Sequence, residues 1–157
     1  MALIFQTQNF LIESHTQPEV GRKDGGHIVI TPITKVTDRT ELSAELLTEM
    51  ALITAITGKA MKEGMKDQGI ELGRINYQDN GNWKPELHIH LYGRALDAPY
   101  HTYGHPIRAA RTLAEKENFH EPLNESDIEV IRKYMLIHAK DPGFEKIEFF
   151  LPTGTQS

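Results

Sequence analysis

Two short apolar runs open the chain. Ala2–Phe5 and Phe10–Glu13 read as strands, and His27–Thr31, β-branched and stopped by Pro32, reads as a third. His15–Gly26 between them carries Pro18, Gly21, Gly25 and Gly26 and reads as a loop. The period then changes. Leu46, Met50, Ile53, Thr57, Ala60 and Met61 recur at i, i+3, i+4 and predict one long helix reaching about Asp67. Its start has two candidates: Asp38-Arg39-Thr40-Glu41, spaced as a capping box, and Ser43. Gly69 suits its stop, while Gly58 and Gly64 either weaken it or let a neighbour pack closely. Glu71–Tyr77 reads as a strand, Asn80-Gly81 as a tight turn, and Glu86–Tyr92 alternates most cleanly of all. Ala95–Pro106 is loop-like and Ile107–Lys116 a short helix. Ser126-Asp127-Ile128-Glu129 has capping-box spacing and opens a helix to about Lys140, ended by Asp141-Pro142-Gly143. Its stripe of Ile128, Ile131, Met135 and His138 reads as core or dimer packing, and Lys146–Leu151 as a final strand. The hairpin at Asn80-Gly81 is too short for a parallel crossover, so the fold class is α+β with an antiparallel sheet.

The chain has 157 residues, one domain's worth, and its 39% hydrophobic and 25% charged residues are those of a globular protein. A net charge of −5 argues against a nucleic-acid or membrane-surface binder, either of which wants a basic face. There is no Cys, which removes disulfides, thiol nucleophiles, iron–sulfur clusters and Cys-based zinc sites together. No apolar run approaches the roughly 20 residues of a membrane span, and the N-terminus lacks a basic segment followed by an apolar one. These features lead to the expectation of a cytoplasmic protein. Histidine is conspicuous, with eight copies.

Strand side chains alternate between faces. Leu87, Ile89 and Leu91 would line the buried face, and Glu86, His88, His90 and Tyr92 the other, at about 6.5–7 Å intervals. An ordinary solvated face with two surface imidazoles would fit this pattern. Two chemical alternatives stand beside it. His-x-His on a strand, with Glu86 as a third ligand, suits a divalent metal. Neutral imidazole also suits nucleophilic catalysis, one ring attacking while its neighbour binds developing negative charge. Gly21–Gly26 lacks the Gly-Lys-Ser/Thr ending of a phosphate-binding P-loop, so that reading is rejected.

Glu86-Leu-His88-Ile-His90-Leu-Tyr92-Gly93-Arg94 resembles the motif of the histidine triad (HIT) family, His-φ-His-φ-His-φ-φ followed closely by an Arg. Gly26-His27-Ile28-Val29-Ile30-Thr31-Pro32 is similar to the family's Gly-His strand, with Pro18 ahead of it. Ile75-Asn76 and Gly81-Asn82 resemble the Asn and Gly-Gln that precede the triad. The resemblance implies a HIT-like sheet of about five strands with a long helix packed on it. It implies a domain over residues 1–96, with 97–157 as a helical C-terminal extension packed on the same domain.

Aligning on Gly93-Arg94 puts Glu86 at the first triad position, His88 at the middle and His90 at the third. The resemblance then implies that His88 attacks the α-phosphorus of a nucleotide phosphoramidate or dinucleoside polyphosphate. A nucleotidyl-histidine forms and water hydrolyses it, with no cofactor and no metal. His90 holds the phosphate oxygens, and an anionic Glu86 orients an imidazole or repels the phosphate. An alternate register makes His90 the nucleophile and Tyr92 the third position. Asn82, Trp83, Asn76, Arg94 and His15 are the substrate-binding candidates, His15 standing where the family has a ribose-binding acid. Asn76 fits equally well as a hairpin-end cap, and Arg94 as a salt-bridge partner at the strand end. His27 reads as structural, packed behind the triad strand, and Tyr100–Pro106, with His101 and His105, as a surface loop. Family members are commonly homodimers, so a homodimer is expected, with a nucleotide as the small-molecule partner. The rivals are a catalytically inactive nucleotide-binding module and a metalloprotein using Glu86, His88 and His90.

Overall fold

The computed structural model describes residues 1–79, 81, 84–108 and 113–151, the side chains of 113, 115 and 116 excepted. Its five strands are β1 (Ala2–Gln6), β2 (Phe10–Ser14), β3 (His27–Pro32), β4 (Leu72–Gln78) and β5 (Ile89–Ala95). They form one sheet in the order β1-β2-β3-β5-β4, every neighbour antiparallel. β5 therefore lies between β3 and β4, flanked on both edges. That position suits a strand whose residues from Leu91 to Ala95 are all buried.

The long helix α1 (Ala44–Asp67) covers one face. Ile53, Ile56, Ala60, Met61 and Met65 are fully buried there, in one core with Ile28, Ile30 and Leu91. Each large side chain so buried contributes about 1.5–3 kcal/mol. Both predicted helix starts are used, for different helices. Asp38 and Glu41 form a capping box around a separate 3-10 turn, Arg39–Glu41. Leu42 is extended, and the Ser43 hydroxyl then accepts the Leu46 N–H and caps α1. Gly58 is there for close packing, because the Tyr77 hydroxyl of β4 occupies the space a Cβ would need.

Several predicted boundaries are corrected. The strand expected over Glu86–Tyr92 is β5, Ile89–Ala95. Ahead of it the Leu87 N–H is drawn to the Val36 carbonyl, and His88 turns onto the carbonyl of Glu86. The short helix expected over Ile107–Lys116 is α2 (Leu113–Phe119), with 109–112 outside the described residues. Asn80 of the predicted turn also lies outside them; Gly81 has φ +63°, as a left-handed turn residue should. The next helix, α3 (Glu125–His138), is capped by Asn124 rather than Ser126. Asn124 and Asp127 exchange side-chain to backbone bonds of 2.9 Å each, while Ser126 turns to Gln68. Lys146–Leu151 is no strand; it meets β1 through the isolated Gln6–Phe150 bridge and the stacking of Phe149 on Phe5.

The C-terminal segment is fastened to the sheet domain at several points. Ile131 and Met135 of α3 are fully buried beside α1. The Arg132 guanidinium donates to the carbonyls of Leu3 and Ile4. Arg22 makes a two-pronged ion pair, 2.7 and 2.9 Å, with fully buried Asp127. Among the described residues no helix is long and apolar enough to cross a membrane.

Candidate active site

With Ile89 and Leu91 committed to the core, alternation sends His90 and Tyr92 to the opposite face of β5. His27 opens β3 directly across from Tyr92, so it shares that face. It is not behind the triad strand, as the sequence suggested, but beside it, with His27 Nε2 2.8 Å from His90 Nδ1. His88 stands edge-on to His90 with ring centres 4.7 Å apart, and His15 stacks on His27, also at 4.7 Å. Tyr92 stacks on His90 at 5.4 Å. Four imidazoles and a phenol thus form one cluster.

The backbone that places His27 needs glycine. Gly25 and Gly26 have φ of +129° and +86°, a region costly to other residues. Gly25 also lies so close to Gly93 of β5 that a Cβ on either would overlap the other's backbone. The loop is held by buried charge. Asp24 accepts the main-chain N–H groups of Tyr100 and His101 and the His101 ring at 2.8 Å. Burial pushes the Asp24 carboxyl up, but the His101 and Tyr100 bonds outweigh it and hold it below the usual range. His101 is therefore buried structure, not part of a surface loop; His105 is exposed.

The hydrogen bonds assign the protons. The Glu19 N–H donates to His27 Nδ1, so His27 carries its hydrogen on Nε2. That hydrogen is donated to His90 Nδ1, which leaves the His90 hydrogen on Nε2. The Gln17 N–H donates to His15 Nδ1, with the same outcome for His15. His88 is opposite. Its Nδ1 lies 2.7 Å from the Glu86 carbonyl, which can only accept, so Nδ1 holds the hydrogen and Nε2 a lone pair. Burial, with His15, His90 and His88 adding to it, pushes His27 down to about 2. Burial, His88 and His15 push His90 down to about 4. Burial and the N-terminal ammonium lower His15. These three rings are neutral near pH 7. Burial, then Glu19, pushes the Tyr92 phenol up to about 12.

The candidates do not all meet. His15, His88 and His90 come together. Glu86 joins them through its carbonyl, not its carboxylate. Asn76 and Arg94 lie farther along the same face, joined by a 2.8 Å bond from the guanidinium to Asn76 Oδ1. Arg94 has no carboxylate partner among the described residues, so the expected salt bridge is absent. Asn82 and Trp83 lie outside the described residues. A metal does not fit between His27 and His90. Two nitrogens bound tetrahedrally to one zinc would be about 3.3 Å apart, whereas these face each other in hydrogen-bond contact at 2.8 Å. Among the described residues no group of three His, Asp or Glu is arranged to hold an ion. A cavity of about 510 Å³ opens beside His15, with Glu19 on one wall and Glu117 and His120 of the C-terminal segment on another.

The HIT domain family model matches residues 2–96. The chain belongs to the HIT domain family. No curated protein matches the sequence. Solved HIT structures share the fold at low identity. A histidine triad protein from Sinorhizobium meliloti 1021 aligns with TM-score 0.63 at 14% identity, covering 87% of this chain and 88% of that one. One from Marinobacter aquaeolei VT8 aligns with TM-score 0.62 at 13%, covering 93% and 90%. A zinc-bound histidine triad family protein from Mycobacterium smegmatis aligns with TM-score 0.58 at 17%, covering 87% and 86%. The HIT model stops near the end of β5, so α2 and α3 lie beyond the matched domain.

His27 and Tyr92 are the cluster members that sequence reasoning undervalued. The signal for both was present: His27 begins a strand after a glycine-rich loop, and Tyr92 continues the i, i+2 row of His88 and His90.

Proposed function

We propose that this HIT protein is a nucleotide hydrolase or nucleotidyltransferase acting on a nucleotide phosphoramidate or a dinucleoside polyphosphate. His88 Nε2 attacks the α-phosphorus. An N–P bond forms, and the bond from phosphorus to the leaving nitrogen or oxygen breaks with its electron pair going to the leaving group. Water, or another acceptor in the transferase reaction, then displaces His88 from the nucleotidyl-histidine. The observation that carries this reading is the 2.7 Å contact from His88 Nδ1 to the Glu86 carbonyl. It points the lone pair outward, and it takes up the positive charge that the ring gains when Nε2 bonds phosphorus.

His90 has the complementary role. Its outward nitrogen bears a hydrogen and has no lone pair for attack, which favours His88 over His90 as nucleophile. The His90 Nε2–H donates to the phosphoryl oxygens as negative charge builds, and the His15 Nε2–H does so from the other side. His27 is a positioning residue that fixes the His90 tautomer. The three depressed imidazoles donate as neutral groups, so they do not compete with phosphate for protons near pH 7. The same proposal places the protein in the cytoplasm as a homodimer, with the outer edge of β4, which has no strand partner among the described residues, as the surface that pairs.

The test is nucleotide release from adenosine phosphoramidate and diadenosine tetraphosphate by metal-stripped protein. Release is expected from the wild type, abolished in His88→Ala and weakened in His90→Ala. Release that survives in His88→Ala refutes the mechanism. Tight nucleotide binding without release would establish the binding-module alternative.

A further inference from the structure

Beyond the histidine cluster, the same sheet face carries a second cavity, of about 530 Å³. It runs from Gln78, which pairs with His90 across β4 and β5, to Arg74, with Arg94 and Asn76 in its wall. Three features set it apart. Arg94 is 6% exposed, yet its charge meets only neutral acceptors: Asn76 Oδ1 at 2.8 Å, and the carbonyls of Thr102 and His105 at 3.2 and 2.6 Å. Its Nε is buried with no hydrogen-bond partner among the described residues. Finally, Arg74 stands directly opposite Arg94 in the β4–β5 register, so two guanidinium side chains share one cross-strand position.

Each feature is unfavourable in the free protein. A buried cation is ordinarily matched by an anion, and like charges across a strand pair repel. Among the described residues no Asp or Glu lines the cavity, in a chain whose net charge is −5. Nor does either Arg make an ion pair among the described residues. An anion held beside the two guanidinium groups would match the buried charge and relieve the like-charge repulsion. Arg is also the side chain whose planar fork matches phosphoryl oxygens.

We propose that Arg74 and Arg94 form a phosphoryl-anion subsite on the catalytic face, occupied by a phosphate of the substrate beyond the one that reacts at His88. The preferred substrate then carries a polyphosphate chain rather than a single phosphorus. The substrate part of this inference rests on the proposed reaction; the anion site does not.

The experiment has two arms. In the first, inorganic tripolyphosphate is titrated calorimetrically into the full chain at low ionic strength, as wild type, Arg74→Gln and His88→Ala. Arg74 is exposed, so its replacement leaves the fold intact. Binding about tenfold weaker in Arg74→Gln and unchanged in His88→Ala is expected, the size of one charge-assisted contact. No binding to the wild type, or binding lost in His88→Ala and kept in Arg74→Gln, overturns the site. In the second arm, Arg74→Gln should lose about tenfold in kcat/KM on diadenosine tetraphosphate and little on adenosine phosphoramidate. Equal kcat/KM on both, with weakened tripolyphosphate binding, would make the anion a free ligand and overturn its assignment to the substrate. A wild type that binds tripolyphosphate but turns over neither nucleotide would refute the reaction and leave the anion site standing.

Discussion

Replacing His27 by Phe tests whether one buried ring sets the proton on another. Phe keeps an aromatic ring between His15 and Tyr92, which lie 4.7 and 4.5 Å from His27 by ring centres. It removes two hydrogen bonds: the one accepted from the Glu19 N–H at 3.3 Å and the one donated to His90 Nδ1 at 2.8 Å. The Glu19 N–H and His90 Nδ1 left behind are only part-buried, so together they cost less than the about 1–3 kcal/mol apiece of fully buried groups, and the variant should fold with a modestly lower denaturation midpoint. The kinetic effect is more specific. Freed from His27, His90 can place its hydrogen on Nδ1, and then nothing on Nε2 donates to phosphate. Removing such a donor outright costs about 10²–10³ in kcat. Because His90 would still populate the useful tautomer part of the time, His27→Phe should cost less, about 10–10²-fold. The decisive comparison is the double variant. If His27 acts only through His90, His27→Phe/His90→Ala has the kcat of His90→Ala alone. Fully multiplied losses would refute the relay and make His27 an independent contributor.

Three other outcomes are expected. Asp127→Ala leaves Arg22 partly buried without its carboxylate and removes half of the α3 cap, so urea denaturation should show a loss of about 3–5 kcal/mol. Gly93→Ala drives a Cβ into the Gly25 backbone and should cost about 3 kcal/mol, read as a fallen melting temperature. Stability should also fall as pH drops below about 6.5. The unfolded chain then takes up protons on histidines that the folded chain keeps neutral, down to about 4 for His90 and about 2 for His27. Urea midpoints at pH 7 and pH 5 measure this, and His27→Phe, lacking one such group, should lose less than the wild type over that interval.

Much of this was legible because it is local. Alternation in Leu87–Tyr92 separated core from site, and the i, i+3, i+4 stripe marked α1 as far as Asp67. Where the reading failed, the cause is either a rival local signal or a contact from distant sequence. Asn124 caps α3 in place of Ser126 through a local exchange with Asp127, which also holds Arg22 from over a hundred residues away. His101 looked like a loop residue because its acceptor, Asp24, lies in a glycine-rich turn that only the fold brings near. The β5 boundary moved because Val36 and the Glu86 carbonyl claim the residues before Ile89. The tautomers could not have been read at all, since they follow from the N–H groups of Glu19 and Gln17 meeting particular ring nitrogens.

The most direct measurement is the site of the covalent intermediate. Protein mixed with adenosine phosphoramidate or diadenosine tetraphosphate, quenched within one turnover and digested, should yield by mass spectrometry a peptide carrying one nucleotidyl group on His88, absent from His88→Ala. A nucleotidyl group on His90, or rapid nucleotide release with no protein adduct at any time, would contradict the account.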